Sequence, residues 1–281
     1  MHAVLLAGPG DVRQWVVVRR YGQWRIRHHP RTPDQEWATL TALARVGAPA
    51  PVPLWLDCDG TVFGCPTLVT SKLPGRGLLT PRDQTAWITG LAEALGRIHA
   101  APLNADELAV LSDQREDLSR ILDRDTPPAD LAEQARGREV WEAMLRLWPR
   151  IQPSPSTLVH GDYWPGNTLW HRGRLSGVID WEQARRGDPA QDVAYCRQDL
   201  AVLFGPAAAE AFLRGYETFT GRTIQHSVFW DLYAITSSIG YLEGWVKGYH
   251  DLGRTDLSFA EARVRLERHI TDVLARAAGC Q

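Results

Sequence analysis

The hexapeptide Lys72-Leu73-Pro74-Gly75-Arg76-Gly77 divides the chain into two stretches of different pattern. A proline followed closely by two flexible glycines lets neither a strand nor a helix run through it. Ahead of it, Trp15 to Arg20 reads W-V-V-V-R-R, a short β-branched run that predicts a strand, continued after Gly22 by Tyr21 to Arg27. A capped helix is predicted next: Thr32 as cap, Pro33 at the first helical position and Gln35 completing a capping box. Trp37, Leu40 and Leu43 lie on its neighbouring turns, and Gly47 ends it. Val52 to Cys58 and Thr61 to Ser71 read as two strands joined at Asp59-Gly60, giving the order β–β–α–β–β.

Behind the hexapeptide the pattern is helical. Thr80-Pro81 opens a helix bearing Ile88, Leu91, Leu95 and Ile98. A polar segment, Asp123 to Asp130, precedes a helix ending near Trp148-Pro149. Further helices are predicted over Pro206 to Phe219, Val228 to Tyr249 and Ser258 to Ala278, the last with Ser258 and Glu261 as a capping box. The chain therefore reads as α+β, with a small strand-rich lobe over 1–72 and a larger helical lobe over 73–281.

With 281 residues the chain can bury a sizeable core. Its 31 Lys and Arg against 33 Asp and Glu leave a formal charge of -2, without the basic excess expected of a nucleic-acid binder. No run approaches the roughly 18 apolar residues of a membrane span. Met1 to Gly10 lacks a basic region and is followed by Asp11, which argues against a signal peptide. Cys58, Cys65, Cys196 and Cys280 show neither C-x-x-C nor zinc spacing, so reduced thiols in a cytoplasmic protein are expected.

One segment interrupts the helical pattern. It runs L-V-H-G-D-Y-W-P-G-N-T-L-W-H-R-G-R-L-S-G-V-I-D-W-E from Leu158 to Glu182. Asp162 and Asn167 are spaced as in a kinase catalytic loop, H-R-D-x-x-x-x-N, with Gly161 in place of Arg. In that template the Asp accepts a hydroxyl proton and the Asn holds Mg²⁺. Leu169 to His171 and Leu175 to Ile179 look like short strands, turned at Arg172-Gly173-Arg174. A hairpin folded there brings Asp180 beside Asn167, an oxygen-rich pair suited to Mg²⁺. Phosphoryl transfer asks a protein for positioning and charge neutralisation more than for covalent chemistry, and this set supplies both.

His160-Gly161-Asp162, Asn167, Ile179-Asp180-Trp181-Glu182 and Gly187-Asp188-Pro189 with Asp192 and Ala194 together resemble the aminoglycoside phosphotransferase and choline kinase-like family. The likeness extends from about Trp15 to the C-terminus. It implies a protein kinase-like two-lobed fold, ATP between the lobes, Asp162 as base, and Asn167 with Asp180 as Mg²⁺ ligands. It implies an ATP- and Mg²⁺-dependent transfer to a hydroxyl of a small molecule. By the same likeness Arg19 touches the ATP phosphates with Glu36 as its partner, Arg20 being the competing choice on the opposite strand face. The Ser71 carbonyl and Leu73 amide would meet the adenine edge. The family has a strand and a phosphate-covering loop ahead of the Arg19 strand; here about eighteen residues precede Arg19 and Gly8-Pro9-Gly10 matches such a loop poorly, so the lobe reads as trimmed.

His160 and Asp192 read as supports of the catalytic loop, Asp192 accepting its backbone donors. Among twelve tryptophans, Trp164, Trp181, Trp230 and Trp245, with Tyr233, Tyr241 and Tyr249, lie where they could wall a substrate pocket, though helical spacing fits core packing as well. Asp231, Glu243 and Asp251 could meet an amino sugar or face solvent. The competing function is a non-catalytic kinase-like module that binds nucleotide or a partner.

Overall fold

The computed structural model describes residues 1–7, 13–124, 126–152 and 156–280. Gly8-Pro9-Gly10 therefore lies outside the described residues. The first lobe contains β1 (His2–Ala7), β2 (Arg13–Arg20), α1 (Gln23–His28), α2 (Thr32–Arg45), β3 (Pro53–Asp57) and β4 (Thr67–Ser71). The strands form one antiparallel sheet in the order β1-β2-β4-β3, with Val16 of β2 facing Val4 on one side and Ser71 on the other.

Four strands were expected and four are present, but the membership differs. The partner ahead of β2 is His2–Ala7, which the sequence reading left unassigned. Tyr21 to Arg27 is no strand. The ladder ends where the Tyr21 amide bonds the Pro66 carbonyl, and the Gly22 carbonyl then accepts from the Ile26 amide, opening α1. In α2 the expected box does not form. Arg31 is the cap, and the Thr32 hydroxyl donates back to the His29 carbonyl. The Asp57 carboxylate collects the amides of Thr61, Val62 and Phe63, so residues 61–66 form the turn and β4 starts only at Thr67.

The second lobe contains α3 (Gln84–His99), α4 (Ala105–Val110), α5 (Gln114–Leu122), α6 (Ala129–Ala132), α7 (Gly137–Leu147), β5 (Thr157–Val159), β6 (Thr168–His171), β7 (Arg174–Val178), β8 (Arg185–Gly187), α8 (Ala190–Phe204), α9 (Pro206–Thr220), α10 (Ser227–Ser238), α11 (Leu242–Asp251) and α12 (Phe259–Gly279). Asp83, not Thr80, caps α3 by accepting the Ala86 amide. The helix predicted over Val228 to Tyr249 is two, α10 and α11, broken at Gly240-Tyr241.

α8 is the axle of this lobe. It packs on α9, α10 and α12, and nearly every residue along it is buried. A helix enclosed on all sides cannot leave polar side chains idle, because each must find a partner or a cavity. Asp192, Tyr195 and Asp199 recur at i, i+3 and i+7, hence on one face.

Candidate active site

The hairpin predicted from spacing is present. β6 and β7 pair antiparallel, Thr168 faces Val178, and Arg172 and Gly173 take the left-handed turn. At its open end the Ile179 amide donates to the Asn167 carbonyl at 2.9 Å, which holds Asn167 and Asp180 at the same place. Asp180 has φ 70 and ψ 60, a strained backbone for a residue with a Cβ, of the kind that concentrates at functional sites. The Asn167 amide nitrogen donates to the Asp162 carboxylate at 3.0 Å and to its carbonyl at 2.9 Å.

His160 and Asp192 fix this loop from beneath. The Asp192 carboxylate, fully buried, accepts the amides of His160 at 2.7 Å and Gly161 at 2.9 Å, and also a ring nitrogen of His99 at 3.1 Å. The His160 ring accepts the Asp162 amide on Nδ1 at 3.2 Å and donates from Nε2 to the Ile179 carbonyl at 3.0 Å. One neutral imidazole therefore ties the residue before Asp180 to Asp162, and burial lowers its basicity in keeping with that tautomer. Gly161 turns with φ +83, and an added Cβ would meet the Gln183 carbonyl oxygen at 2.4 Å. Substitution there is excluded by both backbone and space.

The two strand arginines separate as the pleat dictates. Arg19 points into the cleft and bonds Glu36 at 3.1 Å, Asp180 at 2.8 Å and Glu182 at 2.8 Å. Arg20 points away, to Cys65 and the Phe63 carbonyl. Burial works against the Arg19 charge, but the carboxylates of Glu36, Asp180 and Glu182 raise its basicity. Glu36 is pushed up by burial, and Tyr21 donates to its second oxygen at 2.7 Å. Glu182 was quoted in the motif without a role. Its carboxylate is split between Arg19 and Arg25 of α1, the latter at 2.7 Å.

Two cavities flank the block. The first, about 210 Å³, lies between the lobes. Arg19, Glu36 and Asp180 stand at one end; Val17, Leu40, Leu68, Leu73, Leu169 and Ile179 form apolar walls; Ser71 and Lys72 form the edge where β4 leaves the sheet. Ser71 is pinned there by its amide bonded to the Val52 carbonyl and by its hydroxyl accepting the Val52 amide.

The second, about 220 Å³, opens on the other side of Asp162 and is lined also by Trp164, Tyr195, Asp199, Gly244, Trp245, Gly248 and Tyr249. Burial, then the Asp180 charge, pushes the Asp162 carboxyl up to about 7, against the hydrogen bond from Asn167. Of the aromatics singled out in the sequence, Trp164, Trp245 and Tyr249 reach this cavity. Trp181 packs against His160 and borders the first cavity, Trp230 and Tyr233 meet edge to face, and Tyr241 is exposed. Asp231 is buried in ion pairs with Arg197 and Arg276, and Asp251 pairs with Lys247 outside. Tyr195 and Asp199 escaped the sequence reading. Their signal was the i, i+3, i+7 recurrence of Asp192, Tyr195 and Asp199 along one helix.

Among the described residues no helix is long and apolar enough to cross a membrane. A strand-rich lobe over a helical one, with an Asp–Asn–Asp set at the junction, defines the class as kinase-like. The chain matches the Phosphotransferase enzyme family, APH, over residues 4–225 and belongs to it. It is 32% identical over 146 residues to viomycin phosphotransferase of Streptomyces vinaceus, covering 46% of this chain and 48% of that one. It is 31% identical over 176 residues to acyl-CoA dehydrogenase family member 10 of Mus musculus, covering 58% of this chain and 16% of that protein. The matches thus span about half of the first relative and a small part of the second. A solved structure of a candidate aminoglycoside phosphotransferase from Ralstonia eutropha superposes with a TM-score of 0.63 at 19% identity, covering 100% of this chain and 93% of that one, which establishes the shared fold.

Proposed function

We propose that the protein is a small-molecule kinase that transfers the γ-phosphoryl group of ATP to a hydroxyl in the cavity beside Asp162. The observation carrying this reading is Asp162 itself. It is bonded to Asn167 and belongs to the second cavity, while Asp180, at the end of the same hairpin, belongs to the first. A donor and an acceptor bound in the two cavities would meet across this one block.

In this reading the apolar walls and the Ser71–Leu73 backbone take the adenine, and Arg19, steadied by Glu36, takes the phosphates. The Asp162 carboxylate accepts the proton of the attacking hydroxyl; the new oxygen–phosphorus bond forms in line as the bond to the β-phosphate oxygen breaks and ADP leaves. The donor set suits Mg²⁺, which characteristically takes one or two protein oxygens and completes its shell with phosphate and water. Asp180 is accessible, and the Asn167 side chain spends its nitrogen on Asp162, which leaves its oxygen available. Held by Asn167 and Asp180, the ion would neutralise phosphate charge and relieve the carboxylate crowding that raises Asp162.

The test is thermal stabilisation by ATP with and without Mg²⁺, alongside ADP release over a panel of small hydroxyl compounds. Mg²⁺-dependent stabilisation with turnover on any member is expected. Stabilisation without turnover on every compound class would favour a nucleotide-binding module instead.

A further inference from the structure

We propose that a separate pocket behind the catalytic loop binds a compact organic acid, and that Gln114 and Gln191 relay its occupancy to the loop. The pocket, about 130 Å³, lies between the start of α5, the turn after α7, the end of β8 and α10. It shares no lining residue with the two cavities that flank Asp162.

An idle donor points to a ligand there. Trp170 and Trp181 are buried, and their indole N–H groups donate to the Thr168 hydroxyl oxygen at 3.0 Å and to the Val178 carbonyl at 2.9 Å. Trp230 is buried as deeply, at 2% exposed, and lines the pocket, yet its Nε1 has no acceptor among the described residues. A buried N–H left unpaired carries its full desolvation cost, and an occupant with an acceptor oxygen would remove it. Arg115 decides the charge of that occupant. Its guanidinium carbon stands 4.8 Å from the centroid of the Trp148 ring, and one Nη donates to the Ile151 carbonyl at 3.1 Å. It forms no ion pair with a carboxylate among the described residues. The two acids of the wall are already engaged: Asp113 pairs with Arg186 at 3.1 Å, and Asp188 accepts the Ala190 amide at 2.9 Å. Leu118, Trp148 and Ile151 make the remaining surface apolar. The volume approaches the ~150 Å³ of a cavity that holds benzene, so one ring or a short chain fits behind a carboxylate.

The relay is a line of buried amides. Gln114 lines the pocket and is 3% exposed. Its Oε1 accepts the Asp188 amide at 2.7 Å, and its Nε2 donates to Oε1 of Gln191. Gln191 Nε2 in turn donates to the carbonyl of Gly161, the residue before Asp162, at 3.4 Å. Gly187 makes the approach possible, since an added Cβ would meet Gln114 Oε1 at 2.4 Å. An occupant packed against Gln114 therefore restrains a chain of contacts that ends on the catalytic loop.

The probes are benzoate and its uncharged counterpart benzyl alcohol, titrated by calorimetry into the full chain. Benzoate should bind at least about tenfold more tightly, the step expected for a charge-assisted over a neutral hydrogen bond. Trp230→Phe removes the N–H and keeps a ring; it should weaken benzoate about tenfold and narrow its lead over benzyl alcohol. Arg115→Gln should do the same, and because Arg115 is exposed it guards against a folding defect in the first variant. In hydrogen exchange, saturating benzoate should slow the segment 158–167 at least about threefold. Gln114→Met should still bind benzoate but leave exchange of that segment unchanged. Equal binding of the two probes, no binding of benzoate, or benzoate affinity unaltered in both Trp230→Phe and Arg115→Gln would overturn the site. Benzoate binding to wild type with unaltered exchange over 158–167 would overturn the relay.

Discussion

The two cavities hold comparable volumes and share one block of residues, yet they treat charge in opposite ways. In the cavity between the lobes, three carboxylates (Glu36, Asp180 and Glu182) are compensated by Arg19 and Arg25 within 3.1 Å. In the second cavity, Asp162 and Asp199 sit among aromatic rings, with no basic residue lining the space among the described residues. The first is a shared network, in which Glu182 is held by both Arg19 and Arg25. In the second, burial is the main cause that pushes both carboxyls up, Asp162 to about 7 and Asp199 to about 8.

The largest expected effect would break the acceptor side alone. Asp162→Asn should lower turnover by about 10³-fold, within the range for removal of a general base, and leave ATP affinity nearly unchanged. Comparable losses in turnover and nucleotide binding would show that the two sides are not separable there. Asp180→Ala should act on the other side: titration with Mg²⁺-ATP should show affinity reduced at least about tenfold, to the level of wild type with EDTA, the loss expected from one charge-assisted contact. Arg25→Ala should be gentler. The half-exposed Arg25–Glu182 pair sets Arg19 indirectly, so KM for ATP should rise about three- to tenfold while KM for the acceptor stays constant. A change in the acceptor KM instead would place Arg25 outside the nucleotide network.

The smallest effect tests a region belonging to neither cavity. His269 is buried with Nε2 unpartnered, and burial lowers its pKa to about 4. A group whose folded pKa lies below its unfolded value stabilises the protein fully above the unfolded value, here about 6.5, and loses that contribution as pH falls toward 4. His269→Gln should flatten the decline of Tm between pH 6.5 and 4 without altering ATP or acceptor KM. An unchanged decline would assign acid sensitivity elsewhere.

The residues where the two cavities meet were far more legible in the sequence than the lining of the second cavity, for physical reasons. Asn167 and Asp180 flank one hairpin and Asp162 lies in the loop just ahead of it, so local spacing alone brings them together. Arg19 and Glu36 follow from strand alternation and a helix placed after it. Asp199, Tyr195 and Tyr249 come from helices distant in sequence, and their convergence depends on how α8 and α11 pack. The helix predicted over Val228 to Tyr249 is broken at Gly240-Tyr241, so Trp245 and Tyr249 stand on a separate helix, α11. In the first lobe the misassigned strand had the same root. Tyr21 to Arg27 has strand-like composition, but the backbone partner it would need is taken by β4 and β1, and propensity yields to pairing.

The central claim is that Asp162 serves as the base in transfer from ATP to a bound hydroxyl. Its most direct test is acceptor-dependent ADP release in the presence of Mg²⁺-ATP, comparing wild type with Asp162→Asn under conditions where calorimetry shows both to be saturated with nucleotide. Release by wild type only when an acceptor is present, and its near-complete loss in the variant at unchanged ATP occupancy, is the result predicted. Equal acceptor-dependent release by the two proteins would contradict it.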